Sequence, residues 1–157
     1  MTASSQPNAP QNPIRLFVAH AFALNNDYTR VFEYFESARN FYYRNCSVLE
    51  APANADDEAL KQELRKQINL AEVVIVPAGP YREQREWFDF EVNCAKGFDK
   101  PVIVLEVFGA KEYLPVQLEA LADEIVRWDE RDLVDAVRRQ ARHEDTTRWD
   151  VIDFKMD

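Results

Sequence analysis

Four apolar residues follow one another at positions 73–76, Val73-Val74-Ile75-Val76, with no polar residue between them. A strand with one face in water alternates apolar and polar residues, so an unbroken apolar run indicates a strand that helices cover on both faces. The run 102–105, Val-Ile-Val-Leu, has the same character and opens after Pro101. These two runs therefore predict a parallel sheet buried between helices.

Helical periodicity fills the segments around these strands, with apolar residues recurring at intervals of three and four. Acidic residues at 56–58 suit the positive end of one helix, and Gly97 is typical of the end of another. The predicted helices carry, in chain order, Tyr28, Val31, Phe32 and Phe35 (capped by Asn26 or Asp27); Leu60, Leu64, Ile68 and Ala71; the segment from Glu83 to Lys96; Leu118, Leu121, Ala122 and Ile125; and Leu133, Val134 and Val137.

Three further strands complete the pattern, at Ile14 to Ala19, Phe41 to Leu49 and Val126 to Trp128. Strand and helix then alternate about five times, which predicts an α/β fold with right-handed crossovers and an open, doubly wound parallel sheet. Ligands of such sheets bind beyond the carboxyl ends of the strands. The loops after Ala19, Leu49 and Val76 are therefore the candidate binding loops.

The ends of the chain differ in composition from its middle. Residues 1–13 are rich in Ser, Asn, Gln and Pro without apolar periodicity, which predicts a flexible leader. The globular domain is expected to span residues 14–140. Residues 141–157 form a tail, either docked or partner-binding, with apolar residues at Trp149, Val151, Ile152 and Phe154.

Composition excludes several classes of function. The 157 residues include 19 basic and 28 acidic side chains, a net charge of -9 that disfavours nucleic acid as a partner. No apolar run approaches the roughly 20 residues that cross a bilayer, and the polar start lacks a signal pattern, so we expect no membrane partner and a cytoplasmic location. Two cysteines and two histidines suggest no metal site and no disulfide framework, so both thiols are expected in the core. Three glycines and no glycine-rich motif argue against a dehydrogenase or a P-loop enzyme.

One carboxylate falls on an apolar helix face. Trp87 and Glu91 are four residues apart and share a face with Cys94 and Ala95. A buried carboxylate is costly unless paired, and groups of this kind gather at functional sites. Two interpretations remain open: Glu91 is a structural residue bonded to a loop amide or an arginine, or it is a functional acid.

The turn after the first strand is the second candidate. His20 is placed to donate to a phosphate or ribose and Phe22 to stack on a flat ring, although a histidine at a strand end is often purely structural. A phosphoacceptor receiver domain would need carboxylates at the ends of the first and third strands. Those strands end in Ala19-His20 and Val76-Pro77, so that interpretation fails. A hydrolase triad fails too, since no Ser or Cys lies in a nucleophile elbow.

Several blocks together resemble the TIR-like family that includes the TIR subunit of Thoeris anti-phage systems. The resemblance runs from about Arg15 to Arg139, although the family often has Ser and Trp where this chain has Ala19 and Phe22. The matching blocks are Leu16–Phe22, Cys46–Val48, Leu64–Ile68, Val73–Val76, Glu86–Glu91 (the family's Trp-x-x-x-Glu helix), Lys100–Ile103 and Ala122–Trp128.

The resemblance implies a flavodoxin-like fold and an NAD+ nucleosidase or ADP-ribosyl cyclase. Glu91 would be the catalytic residue, with NAD+ as the substrate and no other cofactor. The residues implied at the substrate are His20, Ala21, Phe22, Ser47 and Trp87. It also implies a homo-oligomer, and a cyclic or otherwise modified ADP-ribose that reaches an effector protein as a diffusible signal in anti-phage defence.

Two other functions are compatible with the same residues. A nucleoside deoxyribosyltransferase-like enzyme shares the sheet and uses a helix-borne glutamate, but here no acidic residue lies beside His20. A non-catalytic TIR scaffold would act by self-association alone.

Overall fold

The structure, a computed structural model, describes residues 8–109 and 114–143. Within these ranges five strands alternate with five α-helices, and a short 3₁₀ helix, Gly79–Arg82, precedes the third α-helix. The strands are β1 (Ile14–Val18), β2 (Tyr43–Asn45), β3 (Val73–Pro77), β4 (Val102–Leu105) and β5 (Glu124–Val126). The helices are α1 (Asn26–Ser37), α2 (Asp57–Leu70), α3 (Arg85–Gly97), α4 (Val116–Leu121) and α5 (Glu130–Arg142).

The sheet is parallel throughout and has the strand order β2-β1-β3-β4-β5. This is the flavodoxin-like order, so the predicted α/β fold is confirmed. The chain moves outward from β1 to β2 and then crosses back to β3, so neighbouring crossovers diverge beyond the carboxyl ends of β1 and β3. A binding site is expected at that point of the sheet.

Two apolar layers hold the sheet, one on each face. Helices α1 and α5 cover one face, where Val31 and Leu133 lie in the core, and α2, α3 and α4 cover the other, where Leu64 and Phe88 do. All five residues of β3 are buried, as its unbroken apolar sequence predicts. None of the helices in the two described ranges has the length and apolar character needed to cross a bilayer.

Helix ends are the features that sequence places least well. The α1 cap is Asn25, whose side chain accepts a hydrogen bond from the Tyr28 amide at 2.8 Å, rather than Asn26 or Asp27. Helix α3 includes Gly97, and the left-handed residue beyond it is Asp99, with φ of 59°. Aspartate tolerates this conformation better than most residues, so a glycine is not needed there.

The last strand begins earlier than the sequence pattern suggests. Apolar spacing places Ile125 in the fourth helix, but the residue lies in β5. Asp123 initiates the pairing, since its amide donates to the Val102 carbonyl at 2.7 Å and its carboxylate accepts from the Val102 amide at 2.8 Å. Strand β2 is also shorter than predicted, three residues instead of nine, and lies at the sheet edge.

Part of the predicted leader contacts the domain. The Asn8 side chain bonds both the amide and the carbonyl of Tyr42, so residues 8–13 are held to the segment before β2. At the other end, α5 continues to Arg142, which is buried in an ion pair with Glu72. The remainder of the predicted tail, with Trp149, Val151, Ile152 and Phe154, lies outside the described residues, as do residues 1–7.

The two cysteines are less buried than predicted. Cys46 and Cys94 are both intermediate in exposure and pack at the margin of the layer formed by α2, α3 and α4. Partial burial raises the pKa of both thiols, so neither is an activated thiolate.

Candidate functional site

The site begins with a tight turn at the carboxyl end of β1, residues His20–Ala23, here called the first turn. The Ala23 amide donates to the His20 carbonyl at 2.8 Å, and the central residues Ala21 and Phe22 have φ of 52° and 57°. Positive φ at both central positions defines a type I′ turn, which normally carries Gly, Asn or Asp. The conformation costs alanine and phenylalanine roughly 1–2 kcal/mol each. Other contacts must therefore hold the turn in place.

Substitution of Ala21 tests whether the first turn is left-handed in solution. We expect Ala21→Val to lower the free energy of unfolding by about 2 kcal/mol, because a β-branched residue is a severe outlier at positive φ. Ala21→Gly should stay within about 1 kcal/mol of wild type, since the relieved strain offsets the added freedom of the unfolded chain. Denaturant unfolding measures both values.

The control is Ala23→Val, because Ala23 is half-buried in the same turn and is not among the residues with positive φ. This variant should also stay within about 1 kcal/mol of wild type. Equal stability of the two valine variants would contradict the described backbone.

The carboxylate of Glu91 holds the first turn. Its Oε1 accepts from the His20 amide at 2.9 Å, and its Oε2 accepts from the Ala21 amide at 2.8 Å. Glu91 comes from α3 and is fully buried. Hydrogen bonds to an ionised acceptor are stronger than neutral ones, so this pair can offset the strain at Ala21. The structure thus brings Glu91 to the first turn, with both of its oxygens occupied by loop amides.

Burial raises the pKa of Glu91 to about 8, while the amide hydrogen bonds from His20 and Ala21 lower it in part. Both amides need an acceptor, and the ionised carboxylate accepts on each oxygen more strongly than the protonated group does. Near neutral pH the group is therefore close to its titration point. A carboxyl group with a pKa of about 8 is mostly protonated at neutral pH, and relief of its burial favours the ionised form.

His20 lies at the centre of the site as a neutral imidazole. Its Nδ1 accepts from the Phe22 amide at 2.8 Å, so the ring proton is on Nε2 and donates to Gln67 Oε1 at 3.1 Å. Burial lowers the pKa of His20 to about 4, against the effect of the Gln67 hydrogen bond. Both ring nitrogens are engaged, so the predicted donation to a ligand would require the ring to leave one of these partners.

Ser47 lies beyond β2 and is joined to the same site through Tyr28. The Ser47 hydroxyl lies 2.8 Å from the Tyr28 hydroxyl, and the Asn45 side chain donates to that hydroxyl at 3.1 Å. The Tyr28 ring in turn meets the edge of the His20 ring, with centroids 6.4 Å apart. The carboxyl ends of β1 and β2 therefore share one polar network.

Phe22 and Trp87 form the aromatic side of the site. Their rings meet edge to face with centroids 6.4 Å apart, and both are half-buried. Phe22 also packs against the His20 ring at 5.1 Å. All six residues that sequence reasoning selects, Glu91, His20, Ala21, Phe22, Ser47 and Trp87, thus lie in one connected cluster.

Sequence reasoning did not select Gln67 for this cluster, and it identified Tyr28 only as an apolar residue of the first helix. Gln67 falls between Leu64 and Ile68 on the buried face of α2, and a polar residue on such a face was the available signal.

No group of three or more His, Cys, Asp or Glu side chains in the described ranges is arranged to hold a metal ion. A cavity of about 660 Å³ lies at the opposite, amino-terminal edge of the sheet, beside Arg15, Lys100 and Arg142.

The fold and this cluster define an α/β domain of the flavodoxin-like type, with a helix-borne glutamate at the divergence point of the sheet. A comparison with protein-family models matches residues 17–112 to the TIR-like domain of the Thoeris protein ThsB. The match spans more than half of the chain and includes the end of β1, the first turn, and helices α1 to α3. The chain therefore belongs to the ThsB TIR-like domain family. None of the curated proteins matches it.

Proposed function

We propose that this protein cleaves the nicotinamide–ribose bond of NAD+, with Glu91 as the catalytic residue. The observation that carries the proposal is the position of Glu91: a buried carboxylate with a pKa of about 8, in contact with the first turn beyond β1. This is where ligands of a doubly wound sheet bind. Membership in the TIR-like family supports the same assignment.

The chemistry requires a negative group near the breaking bond. When the bond between ribose C1′ and the nicotinamide nitrogen breaks, its electron pair goes to the nitrogen and neutralises the pyridinium. The positive charge then lies on C1′ and the ring oxygen, where an ionised carboxylate stabilises it. Water, or a nucleophile from the same molecule, forms the new bond to C1′ and releases a proton. Hydrolysis gives ADP-ribose, and internal attack gives a cyclic product.

Substrate access requires the first turn to move. Glu91 is fully buried and both of its oxygens accept backbone amides, so C1′ of a bound nucleotide has no path to it in this conformation. The left-handed Ala21 and Phe22 favour release, because their strain is relieved when the turn opens. The described state is then the closed form, and binding of NAD+ or self-association would populate the open one.

Phe22 and Trp87 are placed to receive a flat ring. They are half-buried, and they already pack with each other and lie next to the residues that Glu91 holds. Once the turn opens, either ring can stack on nicotinamide or adenine. His20 and Ser47 supply polar groups on the other side of the turn. We expect the product to reach an effector protein by diffusion.

A second function, assembly without catalysis, is favoured by one specific observation. The two amide bonds that Glu91 makes are what a purely structural carboxylate would make, and the closed turn needs no substrate. In that case the domain would act by self-association, and Glu91 would serve only to shape the surface near the first turn.

Product analysis by mass spectrometry separates these functions. The protein at high concentration, alone and with extract of phage-infected cells, is incubated with NAD+. We expect nicotinamide together with ADP-ribose, the product of hydrolysis, or a cyclic product lighter than ADP-ribose by one water, the product of internal attack. Intact NAD+ under both conditions would exclude cleavage of NAD+ and favour assembly as the function.

A further inference from the structure

Gln67 is a buried amide whose hydrogen-bonding capacity is fully used. Its side-chain oxygen accepts from His20 Nε2 at 3.1 Å and from the Val48 amide at 2.9 Å. Its side-chain nitrogen donates to the Val48 carbonyl at 3.1 Å and to Glu63 at 3.0 Å. An amide offers two donors and two lone pairs, so the residue has one arrangement that satisfies every partner.

These contacts join two loops that are well separated along the chain. His20 belongs to the first turn after β1, whereas Val48 follows Ser47 in the loop after β2. Gln67 reaches both from α2, and at 2 % exposure it does so without competition from water. A hydrogen bond in such a place is costly to lose, because its former partners remain buried. Gln67 is therefore one direct hydrogen-bonded link between the two loops, in addition to the contacts that Tyr28 makes with Ser47 and His20.

Gln67 and the Phe22 amide together determine which ring nitrogen of His20 carries the proton. The Phe22 amide donates to Nδ1, which leaves that nitrogen without a proton, and the Gln67 oxygen accepts the proton on Nε2. Loss of the Gln67 oxygen would leave a buried N–H with no acceptor. The ring would then turn to find another partner and would release the Phe22 amide, which is part of the first turn.

We propose that Gln67 is a positioning residue of the NAD+ site: it holds the imidazole of His20 and keeps the first turn aligned with the loop that carries Ser47. The proposal rests on the proposed function for the identity of the ligand. Among the described residues Gln67 forms no hydrogen bond with Glu91, Phe22 or Trp87, so it acts through His20 and Val48. Its effect falls on the binding of NAD+ more than on the chemical step.

The kinetic test uses Gln67→Met, which keeps the length of the side chain and removes its amide. We expect KM for NAD+ to rise about tenfold while kcat changes less than about threefold, since uniform binding is lost. The control is Gln140→Met, whose amide donates to Glu124 at 2.9 Å on the far side of the sheet. An unchanged KM in Gln67→Met, or equal changes in both variants, would overturn the proposal.

Amide exchange tests the alignment without any need for catalysis. In Gln67→Met we expect exchange at both Val48 and Phe22 to become about tenfold faster, the result of lost hydrogen-bond partners, whereas Gln140→Met leaves both unchanged. Faster exchange at Val48 alone would show that Gln67 only fills the core. Absence of nicotinamide release from wild type would contradict the proposed function, while these exchange rates would still decide the role of Gln67.

The imidazole of His20 can be observed in the wild-type protein, so this part of the test does not depend on a variant that folds. We expect ¹⁵N spectra to show the proton on Nε2 and an unprotonated, hydrogen-bonded Nδ1. A proton on Nδ1, or a ring that averages between tautomers, would overturn the assignment.

Discussion

Replacement of Glu91 by glutamine is expected to lower nicotinamide release from NAD+ by at least about 100-fold, the usual cost of losing a charged catalytic group. The glutamine side chain has nearly the same shape as that of Glu91 but cannot carry the negative charge that stabilises the ribosyl cation. Its amide nitrogen would also face the amide of His20 or Ala21, both of which are donors. The rate is measured by nicotinamide release at saturating NAD+.

The matched control is Glu86→Gln, which makes the same chemical change on an exposed residue of the same helix. This variant should keep wild-type activity. Unfolding of both variants at the assay pH establishes that the comparison is between folded proteins. Wild-type activity in a folded Glu91→Gln protein would show that Glu91 is not catalytic and serves only to hold the first turn in place.

The second large effect concerns pH and stability. The pKa of Glu91 in the folded protein is about 8, above the ordinary value of 4.5, because burial disfavours the charged form. Between these two values the folded state binds the proton more tightly than the unfolded state does, so stability falls as pH rises. A shift of this size corresponds to roughly 5 kcal/mol at most. The stabilising contribution is complete below pH 4.5 and is lost as pH rises through about 8.

The measurement is the free energy of unfolding of wild type minus that of Glu91→Gln, from about pH 4 to about pH 9, a range that spans both pKa values. We expect this difference to fall as pH rises. His20 acts in the opposite sense in wild type, since its pKa is lowered to about 4 and its contribution is lost as pH falls from 6.5. Its contribution largely cancels in the difference, because both proteins retain His20. A difference that stays constant with pH would contradict the raised pKa of Glu91.

The strands and the faces of the helices were predictable because burial leaves a strong sequence signal. The unbroken apolar runs of β3 and β4 required a sheet covered on both sides, and both strands are buried in full. Periodicity likewise identified the inner faces of α1, α2 and α5. Many residues contribute to each of these patterns, so one atypical side chain does not change the predicted strand or helix face.

Element ends were less predictable because each depends on one or two local contacts. The sequence predicted Gly97 at the left-handed end of the third helix, but Asp99 has that conformation. Strand β5 begins after Asp123, whose amide and carboxylate both bind the backbone of Val102. The prediction for Ile125 was wrong because isoleucine suits the spacing of an amphipathic helix as well as it suits a strand. Pairing across the sheet determined the start of β5, and such pairing cannot be read from a short stretch of sequence.

The sequence predicted that most residues of this cluster would lie near one another, but it did not predict how they are arranged. Glu91 was selected because a carboxylate on an apolar face is costly, and the same cost explains why two amides surround it. The type I′ turn at Ala21 and Phe22 has no sequence signature, since alanine and phenylalanine rarely adopt positive φ. Gln67 is marked in the sequence as a polar residue on the buried face of α2, but its partners in the two loops are not. The strained turn depends on contacts between three elements, since Gln67 of α2 and Glu91 of α3 both bind the turn that follows β1.

The most direct test follows the Glu91 carboxyl carbon by ¹³C NMR while an NAD+ analogue binds, with a carbocycle in place of the nicotinamide ribose to prevent cleavage. We predict that the amides of His20 and Ala21 lose their protection from exchange and that the pKa of Glu91 falls well below about 8, because the carboxylate then faces the positive pyridinium. Binding of the analogue with an unchanged Glu91 signal and unchanged amide protection would contradict the assignment of Glu91 to catalysis.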